Sequence, residues 1–145
     1  MSEGTKPHGL GRSVGAVVAG FVATALLSLG TDVVMHATGV FPPWGEPMSN
    51  GLFVWATVYR VAFTVIGGFI TAWLAPRKPM THVLVLGALG IVAASAGVLA
   101  TWNRGPEFGP KWYPIALVVT ALPCVWAGGA LQHGWRDPLL PQRAR

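Results

Sequence analysis

The sequence predicts an all-α polytopic membrane protein, a four-helix up-and-down transmembrane bundle. Three observations carry this. Of 145 residues 52% are hydrophobic and only 10% charged, far below the roughly 25% charge of soluble domains. Four long apolar runs recur along the chain. Short polar, Gly/Pro-containing or basic segments separate them. One membrane domain over residues 1–145 follows, with spans at about 14–36, 51–75, 82–102 and 112–132.

Met1 to Arg12 is polar and reads as a short disordered tail. Val14 to Thr31 is uncharged for 18 residues, and Asp32 and His36 follow one turn apart. A cleaved secretory signal is the competing reading of this run, since a basic head precedes it. The run exceeds the roughly 7–15-residue signal core, and its polar residues continue the helix, which favours a span. Val40 to Asn50 holds three prolines and Gly45 and reads as a loop, with Trp44 suited to a membrane interface. The second span, Gly51 to Ala75, has one charge, Arg60. At ~1.5 Å rise per residue Arg60 lies ~14 Å in from the nearer end, close to the middle of a ~30 Å hydrocarbon slab.

Pro76 closes that span, and Arg77, Lys78 and Pro79 form a tight basic turn. The third span, His82 to Trp102, is uncharged and aligns Gly87, Gly90, Ala94, Gly97 and Thr101 on one face. Asn103 to Lys111 is a second Gly/Pro loop. The fourth span, Trp112 to Gln132, has Pro114 in its first turn, where the missing N–H is harmless. Pro123 lies mid-helix and is expected to kink the span and free the carbonyl of Val119. From His133 the tail is polar and basic.

Lys and Arg set the orientation. Lys6, Arg12, Arg77, Lys78, Arg136, Arg143 and Arg145 lie on one side, and Arg104 and Lys111 on the other. Seven against two places both termini in the cytoplasm and argues against dual topology. Trp44, Trp102 and Trp112 then mark the outer interface and Trp73 and Trp135 the inner one. The motifs Phe41-x-Pro43-Trp44 and Phe108-x-Pro110-x-Trp112, each followed by a Gly pair (Gly67-Gly68, Gly128-Gly129), suggest two hairpins related by an axis along the membrane normal. Unequal spacing from loop to Gly pair argues against duplication.

On a helical wheel the second span gathers Ala56, Arg60, Thr64, Gly67, Gly68, Thr71 and Ala75 on one face. Val54, Val58, Val61, Val65, Phe69 and Trp73 lie opposite. Small residues let backbones approach in lipid, so the Arg60 face is expected to pack and the other to meet lipid. The first span aligns Phe21, Ala25, Ser28, Asp32 and His36. An intramembrane guanidinium needs a partner, and antiparallel first and second spans bring Asp32 within reach. The predicted polar cluster is Asp32, His36, Tyr59 and Arg60, serving either as a register pin or as a proton or substrate site.

Other chemistry finds little support. Cys124 is the sole cysteine, lies in an apolar run, and excludes an internal disulfide or cysteine-based zinc site. A bis-histidine haem through His82 and His133 is disfavoured because both sit at helix ends. No phosphate loop, HExxH, GxSxG or carboxylate pair occurs. No metal, cofactor or nucleic acid is expected, and the basic residues flank apolar runs instead of forming a stripe.

Tyr59-Arg60, Ala75-Pro76 with Pro79-Met80, and Trp112-Tyr113-Pro114, within stretches Tyr59–Gly90 and Trp102–Gly129, resemble small bacterial four-span membrane proteins to which no activity is assigned. The likeness spans about two-thirds of the chain and implies a bacterial inner-membrane location, with no residue role to transfer. The first-helix glutamate and Asn-containing signatures of small multidrug transporters and fluoride channels are absent. The functional expectation is a non-catalytic accessory or scaffolding component in the lipid bilayer that self-associates or packs on a larger membrane complex. The alternative is a small proton- or cation-coupled transporter using Asp32 and Arg60.

Overall fold

The computed structural model describes residues 8–136. Four α-helices follow one another: α1 (His8–Ala37), α2 (Asn50–Leu74), α3 (Pro79–Thr101) and α4 (Trp112–Arg136), with a single 3₁₀ turn at Pro106–Phe108. No strand occurs among the described residues. All four helices are long and apolar enough to cross a membrane, the make-up of a multi-pass membrane protein.

The helices outrun the apolar spans at both termini. α1 begins at His8, so part of the expected N-terminal tail is helical, and α4 continues past Gln132 to Arg136. Hydropathy marks residues that tolerate hydrocarbon, whereas i→i−4 hydrogen bonding continues until a breaker stops it. Residues 1–7 and 137–145, with Lys6, Arg143 and Arg145 of the charge count, lie outside the described residues. α3 starts earlier than expected, at Pro79, which sits in its first turn. Lys78 before it adopts a left-handed conformation at φ 45°. α4 runs as one helix through Pro123, which lies on its exposed face.

α1 and α3 run towards the 38–49 and 102–111 loops (the loop end), and α2 and α4 run back towards the termini (the terminal end). α2 packs most extensively on α4, α4 on α3, and α1 on α2, with a smaller α1–α3 contact closing the ring and an α2–α3 contact crossing it. The ring order is therefore α1–α2–α4–α3, and α2 and α4 are parallel neighbours. Glycines make the corners. A Cβ at Gly67 would strike the Thr24 side chain and the Gly20 carbonyl on α1. One at Gly68 would strike the Val125 backbone on α4. Gly128 faces the Val65 carbonyl and Phe69 amide of α2, and Gly129 faces Met80 and Val83 of α3.

A two-fold axis relating the hairpins would give Gly67 and Gly128 equivalent neighbours. Gly67 meets its own hairpin partner and Gly128 meets the other hairpin, so the hairpins are not so related. The α2–α4 contact also corrects the expected lipid face of α2. Val54, Val58 and Trp73 are exposed, but Val61, Val65 and Phe69 are half-buried because α4 occupies that flank.

Near the terminal end Val17, Ala72, Val83, Leu86 and Val125 form a buried core drawn from all four helices. The Thr71 hydroxyl donates to the Ala16 carbonyl at 3.2 Å, and Thr24 shares its proton between the Gly20 carbonyl at 3.0 Å and the Phe63 carbonyl at 3.3 Å. Such hydroxyls cross between helices where no water competes.

Candidate functional site

Ala25, Ser28 and Asp32 repeat at helical spacing along α1, so Asp32 looks inward over α2. On α2, adjacent Tyr59 and Arg60 both reach it. The Tyr59 hydroxyl donates to Oδ1 of Asp32 and Nη2 of Arg60 donates to Oδ2. Arg60 and Asp32 form the ion pair, with side chains 26% and 13% exposed. Both carboxylate oxygens are thus held by α2, which fixes the α1–α2 register by charge and hydrogen bonding together. The Arg60 Cζ also stands 6.0 Å from the Tyr59 ring centroid, the limit of cation–π attraction.

His36 does not join them. Gly39, at φ +74°, ends α1, and the amide of Phe41 reaches back to the Met35 carbonyl at 2.9 Å. That turn returns Pro42 to His36, whose Nδ1 donates to its carbonyl at 2.6 Å. The imidazole also stacks on Trp44 with centroids 3.6 Å apart. His36 therefore pins the loop, one turn away from the carboxylate. Phe41, 2% exposed, packs with Ala56 and Tyr59. Tyr113 of α4 packs against the same cluster.

Two cavities abut Arg60. The central one, about 330 Å³, takes lining from all four helices, including Phe21, Ser28, Arg60, Thr64, Leu117 and Thr120. The other, about 340 Å³, lies towards the loop end and is lined by Arg60, Ala94, Gly97, Thr101, Tyr113 and Leu117 among others. Among the described residues Arg60 is the one charged residue lining either. Its Nε is buried with no hydrogen-bond partner. Thr64, Thr101 and Thr120 donate to carbonyls one turn back, to Arg60 at 2.7 Å, Gly97 at 2.8 Å and Ala116 at 2.7 Å.

No family model, no curated protein and no solved structure matches the chain.

The remaining small residues divide between contact and cavity. Thr71 is fully buried against α1, Gly87 meets Leu122 and Val125, and Gly90 lies 3.6 Å from the Ala121 methyl in Cβ terms. Ala94 and Gly97 face the loop-end cavity, and Gly97 has open space where a Cβ would go. Cys124 is buried as a packing residue. His82 donates from Nδ1 to the Lys78 carbonyl at 3.2 Å, within its own first turn. Phe41, Tyr113 and Ser28 were not among the expected site residues. The aromatic pattern of the two loops pointed to the region, but it singled out the exposed Trp44 and Trp112 as interface anchors and gave no sign that Phe41 is buried.

Proposed function

We propose that the chain is a small non-catalytic integral membrane protein, an accessory or scaffolding component, whose Asp32–Tyr59–Arg60 knot pins the first hairpin. The observation that carries this is the satisfaction of Asp32 on both oxygens from within the chain, which an ion pair needs for stability alone. Broad apolar faces on α1 and α3, with Leu26, Val33, Val92 and Leu99 all exposed, suit lipid or a second membrane protein. The chain lies in a bacterial inner membrane with both termini cytoplasmic. In support, Arg12, Arg77, Lys78 and Arg136 lie at the terminal end against Arg104 and Lys111 at the loop end, and exposed Trp44, Trp102, Trp112, Trp73 and Trp135 lie near the two ends, as a spanning bundle's interface belts would place them.

Gentle extraction from native membranes followed by mass analysis tests this. A homo-oligomer or a stoichiometric membrane partner is the expected result, and a monomer with nothing bound would overturn it. Reporter fusions at each terminus check the orientation.

One observation favours a second reading, coupled transport. Arg60 stands between the two cavities, where a translocated species would meet it. Solute or proton flux in reconstituted vesicles that disappears in Asp32→Asn would establish it, and its absence would remove it.

A further inference from the structure

We propose that Arg60 and the central cavity form a binding site for a small organic monocarboxylate, whose carboxylate replaces that of Asp32 on the guanidinium when Asp32 takes up a proton. The chemistry starts from charge. A guanidinium in an apolar interior is stable with one negative partner and costly without it. Asp32 supplies that charge from one side, while both cavities reach Arg60 without any carboxylate of their own.

A cation entering either cavity would meet the positive charge of Arg60 with no carboxylate in the lining. A neutral polar solute would leave Asp32 and Arg60 as they are. An anion gains only if Asp32 gives up its charge, and one proton on Asp32 does this. The bound state then holds Arg60 as a cation, the ligand as an anion and Asp32 as a neutral acid, the same net charge as before. No bond other than O–H is made. The groups facing Asp32 in either state are Arg60 and Tyr59 from α2, with Tyr113 from α4 nearby, while His36 on its own helix is engaged by the loop.

The class of anion follows from the walls. Phe21, Leu29, Leu86, Leu117 and Val125 make the central cavity largely apolar, and Ser28, Thr64 and Thr120 add hydroxyls. An apolar body behind one carboxylate fits these walls, whereas a halide would leave them unfilled. The orphaned Nε of Arg60 is a further donor that a carboxylate, binding a guanidinium edge with two oxygens, is shaped to accept.

Radiolabelled benzoate binding to the purified protein in detergent, at pH 5 to 8, is the test, with proton uptake measured in parallel. Binding is expected to saturate, to take up one proton per benzoate, and to weaken as pH rises by up to about ten-fold per unit. Asp32→Asn is expected to bind benzoate with no pH dependence over this range. Leu117→Trp, which narrows both cavities from a wall residue outside the Asp32–Tyr59–Arg60 knot, is expected to lose binding at least ten-fold. No saturable benzoate binding by the native protein overturns the site. Unchanged binding in Leu117→Trp overturns its location, and benzoate binding without proton uptake overturns the exchange. Displacement of benzoate by chloride at equal concentration overturns the ligand class. Competition by oleate marks the bilayer as the source of the carboxylate, and competition by butyrate alone marks the aqueous side. Proton uptake is read on the native chain, so the proposal stays testable where Asp32→Asn does not fold. Flux plays no part in these measurements, so they stand apart from the transport reading.

Discussion

The terminal half of the bundle and the loop half are held together by different physics. In the terminal half Gly20, Gly67, Gly68, Gly128 and Gly129 let backbones touch, and Val17, Ala72, Val83, Leu86 and Val125 fill what remains. In the loop half the helices stand off around two cavities, and a charge knot, buried Phe41 and the His36–Trp44 stack close the structure. Without a hydrophobic drive between helices in lipid, close packing and polar bonds are the two means of cohesion available. Each half of this chain relies mainly on one. The space in the close-packed half is an apolar groove of about 330 Å³ between α1 and α3, whereas the polar half has its space beside a cation.

The largest effect that distinguishes them is expected at Gly68. Its missing Cβ would overlap the Val125 backbone, which no rotamer change relieves. Gly68→Leu should force α2 from α4 and cost about 3 kcal/mol or more, read as lost thermal stability in detergent. If it is tolerated, the α2–α4 contact is not what holds the terminal half. Next comes the knot. Asp32→Leu leaves Arg60 without a counter-charge and should cost about 3 kcal/mol, at the lower end for buried pairs because Arg60 is 26% exposed. The exchange Asp32→Arg with Arg60→Asp should recover much of the stability lost in either single variant, and no recovery would mean the two do not act as a pair.

Smaller is the loop pin. His36→Ala removes one hydrogen bond and a ring stack and should cost about 1 kcal/mol. Proteolysis within 40–49 should quicken while the helices stay intact. Smallest is Gly97→Ala. Nothing lies within 4 Å of the added methyl, so stability should stay within about 0.5 kcal/mol. The contrast between Gly68 and Gly97, two glycines in membrane-length helices, is the sharpest test that glycine content alone does not identify a packing face.

Much of this was legible from the chain alone. Length and lack of charge determined four helices, because every backbone polar group must bond within its own segment in hydrocarbon. A lone arginine against a lone aspartate in antiparallel neighbours determined which side chains meet, since neither charge is stable alone there. Adjacent Tyr59 completed the carboxylate for the same reason. The sequence could not determine the ring order. Short loops constrain α1 to α2 and α3 to α4, but only the mutual fit of Gly68 with Val125 and of Gly128 with Val65 makes α2 and α4 parallel neighbours. Nor could it place His36, because a wheel assigns a face and cannot foresee a loop turning back at Gly39 to capture the ring. The cavities are likewise a product of assembly: they exist where three or four helices diverge, which is a property of their packing and of no single span.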